Sequence, residues 1–248
     1  MAESVNETTS TAPLVQRVRH ELKLRELDIA RIEPLGPGFV AITFTGAALA
    51  DFTLLSFDDH VKFMLPGADG EQIRRDYTPR RYSRADRTLT IEFALHGDGA
   101  ASDWARRAVV GQPALIGGPR GSMIYPLELD WHLLIGDATA LPAIARRLEE
   151  LPADARALVL LQADAHDRRD FYTGAQADVR WFDTPAALLD GLQSVALPDG
   201  AGFAWGGGEA GLMVGVREAL AAKGVPRERM RVSAYWKRGV ADHHENLA

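Results

Sequence analysis

Two periodicities divide the chain. Between about Lys23 and Ile124, stretches rich in β-branched and aromatic residues, "FVAITFTG", "HVKFMLP" and "TLTIEFALH", are separated by Gly, Pro and Asp turn signals. That pattern predicts an antiparallel β-barrel. From Trp131 onward the apolar runs "HLLIG", "ALVLLQA", "VRWF", "FAWGG" and "RVSAYW" alternate with helical periodicity in "ALPAIARRLEEL", "PAALLDGL" and "LMVGVREALAAKG". This alternation predicts βαβ units around a parallel sheet. Pro126 and the acidic residues of "YPLELD" interrupt both patterns. The expected organisation is a disordered leader over 1–17, a barrel over 18–125, an α/β unit over 126–240 and a tail over 241–248. No internal repeat relates the two halves.

Composition narrows the chemistry. A length of 248 residues with 46% hydrophobic content suits one large or two ordinary domains with a substantial core. There is no cysteine, which excludes disulfides, thiolate zinc sites, cysteine nucleophiles and protein-ligated iron–sulfur clusters. Redox chemistry here needs a borrowed cofactor. The net charge of −6 argues against nucleic acid as a partner. The polar N-terminus lacks the basic-then-apolar order of an export signal, and no apolar run approaches membrane-spanning length. A cytoplasmic protein with no membrane partner is expected. Near the C-terminus Asp242, His243, His244 and Glu245 carry metal-ligating atoms, but adjacent histidines point apart on any regular structure, so no metal site is expected.

Against that acidic background, "RRDYTPRRYS" at 74–83 concentrates Arg74, Arg75, Arg80 and Arg81 around two tyrosines and a threonine. A barrel followed by an α/β layer suits flavin in one half and a reductant in the other. A flavin is planar, electron-poor and phosphate-bearing. Arg75 supplies a forked donor for phosphate, Tyr77 a ring face and Thr78 a hydroxyl. Strand alternation puts Arg75 and Tyr77 on one face and Thr78 on the other unless the strand bends, and Pro79 makes a bend credible. The competing reading is a basic edge strand with solvated arginines.

Three further stretches bear on the choice. "LHGDGAASDWARRA" at 95–108 follows a strand with glycine-like turn positions and offers Ser102 as N-cap of a helix beginning at Asp103, a geometry that aims backbone N–H groups at an anion. "LIGDATALPAIARRLEEL" at 134–151 combines a strand end, Gly136, Thr139 as N-cap and Pro142 in a first helical turn. It reads equally as a structural turn or a cofactor contact, and no G-x-G-x-x-G accompanies it. "FAWGGGEAGLM" at 203–213 repeats the grammar, with three glycines that admit a close approach and Glu209 opening a helix.

These stretches, with "GPRGS" and "AYWKRG", occur in an order that resembles the siderophore-interacting protein family, FAD-containing ferric-siderophore reductases of the ferredoxin-reductase-like superfamily. The resemblance runs from about Val18 to Gly239. It implies that Arg75, Tyr77 and Thr78 form a flavin motif, that Gly99, Ala101 and Ser102, with His96 nearby, hold the FAD pyrophosphate, and that Asp137, Thr139, Ala140 and Trp236 lie towards the cofactor or nucleotide. Ala138 stands where the family has an acidic residue, Ala234 where it has glycine, and Pro79 where it has an aliphatic residue.

The activity so implied is electron transfer from NADH or NADPH through flavin to iron(III) in a siderophore, with release of iron(II) and no catalytic side-chain acid or base. A small iron–sulfur protein is the alternative donor. Ferric catecholates are strongly anionic, so basic residues are expected above the flavin. Lys62 resembles a basic substrate-site position of the family. Arg120, Lys237 and Arg238 join it on charge and motif location, and Arg80 and Arg81 serve either ligand. A non-catalytic siderophore- or flavin-binding module is the competing function.

Overall fold

The computed structural model describes residues 14–67, 71–95, 99–240 and 245–247. Its first half is a seven-stranded antiparallel sheet of β2 (Leu24–Pro34), β3 (Phe39–Thr45), β4 (Val61–Pro66), β5 (Gln72–Tyr77), β6 (Pro79–Ser83), β7 (Thr88–Ala94) and β8 (Pro113–Gly117), ordered β5-β4-β8-β2-β3-β7-β6. The two edge strands are successive in sequence, with Thr78 between them, so the sheet is curled into a half-barrel. Alternation in β2 buries Arg25, Leu27 and Ile29 while Glu26 and Asp28 stay exposed. The concave face holds Ile42, Phe44, Phe63, Ile91 and Phe93, all fully buried. Helix α1 (Ala100–Arg107) plugs this core through Ala101, Ala105 and Trp104, whose indole lies 4.7 Å from the Phe63 ring. A separate antiparallel pair joins β1 (Gln16–Arg19) to β9 (Gly121–Ile124). Leu14 and Val15 pack on the core beside it. Ordered chain therefore starts inside the segment expected to be leader, of which residues 1–13 lie outside the described residues.

The second half contains β10 (Trp131–Asp137), β11 (Arg156–Gln162), β12 (Gln176–Phe182), β13 (Gly202–Glu209), β14 (Met230–Trp236) and β15 (Glu245–Asn246), ordered β12-β11-β10-β13-β14-β15. The first five in that order are parallel, and β15 adds antiparallel to β14. The expected free tail is thus docked at the sheet edge in part, while 241–244 and 248 lie outside the described residues. All seven residues of β10 are buried, as a central strand covered on both faces requires. Helix α2 (Leu141–Glu150) covers one face; α3 (Pro185–Ser194) and α4 (Ala210–Ala222) cover the other. Local signals start these helices: Pro142 and Pro185 occupy first turns, Thr184 Oγ1 accepts from Ala187 N at 3.1 Å, and the Glu209 carboxylate accepts from Gly211 N at 2.6 Å. The chain changes sheets between Ile124 and Trp131.

A charged seam joins the halves. The Arg80 guanidinium on β6 donates to both oxygens of Glu149 on α2, at 2.8 and 2.6 Å, and its Nε lies 3.3 Å from Glu92 on β7. Arg169, from the α/β half, donates to the other Glu92 oxygen and lies 5.5 Å over the Phe39 ring. Arg146 reaches the Pro79 carbonyl at 3.1 Å. At Gly38 a Cβ would collide with the Asp167 carboxylate, so only glycine admits that loop to the seam.

Burial acts to raise the Glu149 pKa, but the Arg80 hydrogen bonds and the charges of Arg80, Arg81 and Arg146 outweigh it and hold the carboxyl below its ordinary value. Stability from this group is complete above the unfolded-state pKa and is lost as pH falls through the folded one. Arg80→Ala, which strips two carboxylates of their buried partner, is expected to cost about 3–5 kcal/mol in urea unfolding at neutral pH. The gap from the parent should narrow as pH falls below the carboxylate range.

Candidate functional site

The parallel strands run in the order third-second-first-fourth-fifth, so the order reverses between β10 and β13, and the crevice outside their carboxyl ends is where open α/β sheets bind ligands. Here that crevice faces the break between β5 and β6. Between them lies a cleft of about 310 Å³ whose walls include Phe39, Arg75, Tyr77, Thr78, Thr139 and Trp236.

On the half-barrel side, β5 ends at Tyr77 and the register against β7 slips between Pro79 and Arg81. The slip is the bend expected of Pro79, and it lets Arg75, Tyr77 and Thr78 line one cleft. The Tyr77 ring is held 4.4 Å from Phe93 and 6.1 Å from Phe63, and burial pushes its phenol up. Arg75 donates from Nη1 to the Arg74 carbonyl at 2.8 Å and has no carboxylate partner among the described residues. A cation without a counter-ion beside an anchored aromatic ring suits a ligand that is both anionic and planar.

Helix α1 presents its N-terminus to the same region, with Ala101 on the cleft wall. It begins at Ala100, three residues earlier than expected, with Gly99 as N-cap. Ser102 is not the cap: it is buried, and its Oγ donates to the Ala94 carbonyl at 3.0 Å, tying the helix to the end of β7. Gly99 supplies no side-chain acceptor of its own, and a Cβ there would meet open space. These features fit a phosphate-bearing cofactor better than a self-capped helix would. His96 lies outside the described residues.

On the α/β side the hub is Asp137 at the end of β10, 4% exposed. Its Oδ1 accepts from Thr139 N at 2.8 Å and Thr139 Oγ1 at 2.5 Å; its Oδ2 accepts from Glu209 N at 2.7 Å and Trp236 Nε1 at 2.9 Å. Burial pushes its pKa up, and the bonds from Thr139, Trp236 and Glu209 oppose that rise. Asp137, rather than Thr139, caps the short 3-10 turn Ala138–Ala140 that leads into α2. Ala140 is fully buried in the core and does not reach the cleft. Thr139 and Trp236 do. The glycines of β13 admit protein rather than ligand, since a Cβ on Gly207 would lie 2.9 Å from Tyr235.

The basic residues separate into groups. Lys62 on β4 pairs across the strands with Asp76, Nζ to Oδ2 at 2.8 Å, and Asp76 lines the cleft. Arg80 is consumed by the seam, and Arg81 is exposed, 3.7 Å from Glu149. Arg120, Lys237 and Arg238 are exposed and do not line the cleft. Residues of the wall that pattern reading passed over include His60, Asp76, Glu92 and Tyr235. Glu92 sits among apolar residues of a β-run, and its alternation with Thr90 and Ala94 was the one signal that it shares their face.

A curled antiparallel sheet followed by this parallel sheet, with a cleft at their joint, is the ferredoxin-reductase-like fold. Residues 28–74 and 66–123 match the model of the siderophore-interacting FAD-binding domain, and 129–239 match that of the siderophore-interacting protein. The chain belongs to the siderophore-interacting protein family. It is 30% identical over 244 residues to an NADPH-dependent ferric-chelate reductase of Escherichia coli, covering 89% of this chain and 96% of that one. It is 28% identical over 243 residues to the ferric vibriobactin reductase of Vibrio cholerae, covering 87% and 90%. A siderophore utilization protein from T. fusca superposes with a TM-score of 0.86 at 32% identity, covering 92% and 98%.

Asp137→Asn replaces an acceptor oxygen with a donor facing donors. A loss of about 1–3 kcal/mol is expected, because an unpaired buried polar group results. Trp236, released from its partner, should show a shifted emission maximum.

Proposed function

We propose that this protein is an FAD-dependent ferric-siderophore reductase that takes electrons from NADPH or NADH and releases iron(II). The observation that carries the reading is the convergence of uncompensated Arg75, anchored Tyr77 and the glycine-opened N-terminus of α1 on a cleft that also receives the switch point of the parallel sheet. The matched FAD-binding domain and the names of the two reductases support it.

In this reading Arg75 holds a phosphate oxygen, Tyr77 covers the isoalloxazine face and Thr78 bonds a ring heteroatom. Backbone N–H groups over Gly99, Ala101 and Ser102 receive the pyrophosphate. Bound FAD supplies the conversion of hydride donation by a nicotinamide into single-electron delivery. Thr139 and Trp236 wall the side where the nicotinamide docks, and Asp137 keeps both in place from behind. Lys62 draws in the anionic chelate, while Arg120, Lys237 and Arg238 contribute an outer field that weakens with salt. The ferric siderophore is the substrate, and a cytoplasmic setting supplies the nucleotide. Among the described residues no helix is long and apolar enough to cross a membrane.

The test is an anaerobic visible spectrum of the purified protein before and after NADPH or NADH, followed by a ferric tris-catecholate with a ferrous trap. Flavin bands that bleach and return, with ferrous iron appearing, are the expected result. A yellow protein that refuses both nucleotides would shift the electron source to an iron–sulfur protein donor. A colourless protein that binds no added FAD overturns the reading, leaving a binding module. Arg75→Ala and Tyr77→Ala should each retain less than about a tenth of the parent flavin, the effect of losing one charge-assisted contact or one aromatic face; undiminished flavin in both would remove those residues from the site. Lys62→Ala should raise KM for the catecholate about tenfold at low salt and less at high salt, leaving flavin content unchanged.

A further inference from the structure

The ionisable residues described on the cleft wall are His60, Arg75, Asp76, Tyr77, Glu92 and Tyr235. Five are a guanidinium, two ion-paired carboxylates and two phenols. Arg75 is a permanent cation. Asp76 is paired with Lys62, and Glu92 is held by Arg80 and Arg169. Burial raises both phenols, with the charge of Asp58 adding to the rise at Tyr235. His60 is the imidazole described on this wall, and imidazole is the side chain most often used to hand a proton to a reacting group. It is exposed at the wall, directly before Val61, which pairs with Tyr77. Asp76, Arg75, Glu92 and Tyr235 share the wall with His60, Asp76 being paired to Lys62, and the Gly118 turn before Arg120 lies beside the His60 carbonyl; Asp58 and Asp59 precede it in the chain, but their carboxylates accept from Tyr125 and Trp205 and from Ser122, respectively.

The chelate needs what this position offers. Catecholate and hydroxamate oxygens bind iron(III) as anions. Once the iron has gained its electron, each oxygen that leaves iron(II) takes up a proton. Resting on the reductase reading, we propose that His60 is a general acid for iron release: its imidazolium passes a proton to a ligand oxygen as the iron–oxygen bond breaks, the bonding pair staying on oxygen. The neutral imidazole then regains a proton from water. The histidine is neither oxidised nor reduced, and the single electron comes from the nicotinamide by way of the flavin.

The experiment compares the holoenzyme with His60→Gln and His60→Arg on two acceptors. Ferricyanide takes an electron and releases no ligand; ferric tris(2,3-dihydroxybenzoate) with a ferrous trap reports release. Flavin content and the rate of bleaching by NADPH show that each variant is folded and loaded. His60→Gln should keep ferricyanide reduction within about twofold and lose about tenfold or more in ferrous release at about pH 6. The rise in release rate of the parent as pH falls should be flattened in this variant. His60→Arg, a cation that gives up no proton, should restore KM for the catecholate and leave kcat low. A parent-like pH profile in His60→Gln, a full kcat in His60→Arg, or a parallel loss with ferricyanide each overturns the proposal alone. A parent protein that reduces ferricyanide but yields no iron(II) from the catecholate overturns the reductase reading and this proposal together.

Discussion

The arrangement of this molecule depends on one buried guanidinium. Arg80 is 8% exposed and binds carboxylates from both halves, donating through Nη1 and Nη2 to Glu149 on the helix that follows the switch point and forming an ion pair with Glu92 on the strand that walls the cleft. A buried cation is tolerable only where its partners are fixed, and a bidentate fork fixes them in direction as well as distance. Phe39, Tyr77 and Thr78 on one side and Thr139 and Trp236 on the other are brought to a common cleft by this fastening. Arg169 bears on the same carboxylate from the α/β half, so Glu92 is clamped from two directions.

A second constraint acts within the α/β half. Asp137 meets four donors with two oxygens, from the turn after its own strand, from the end of β13 and from the end of β14. Three neighbouring strand ends are thereby locked in one relation, and the side chains that reach the cleft from them inherit that order. The glycines around it are needed because protein atoms fill the space: at Gly136 a Cβ would collide with Ala140 and lie 2.7 Å from the Gly207 carbonyl.

The large divisions of the fold were legible because each rests on local periodicity. The runs around Ile42, Phe63 and Ile91 became β3, β4 and β7, and the helical stretches after Gly136, Asp183 and Gly208 became α2, α3 and α4. The cleft triad Arg75, Tyr77 and Thr78 was legible because a proline forces the local break. What pattern could not supply was partnership. Ser102 and Thr139 have the chemistry of caps, yet a neighbour earlier in the chain takes the role in each case, Gly99 and Asp137. Lys62 and Arg80 look alike as cations, and only the pairing of distant segments shows one beside the cleft and the other consumed in a seam. His60 carried no flag of its own, since a lone histidine before a strand is ordinary until the opposite wall is known.

The docking of β15 on β14 has a consequence for the sheet as an object among other proteins. Beyond β14 a pair of residues already occupies the hydrogen-bonding positions, leaving β12, two strands from the switch point, as the open edge among the described residues. That edge reads Gln-Ala-Asp-Val-Arg-Trp-Phe, with Asp178 and Arg180 exposed and paired to each other. Charges on an open edge discourage a foreign strand from adding to it. The sheet is thus guarded against edge-to-edge growth by two unlike means, hydrogen-bonded self-pairing at one border and electrostatic deterrence at the other.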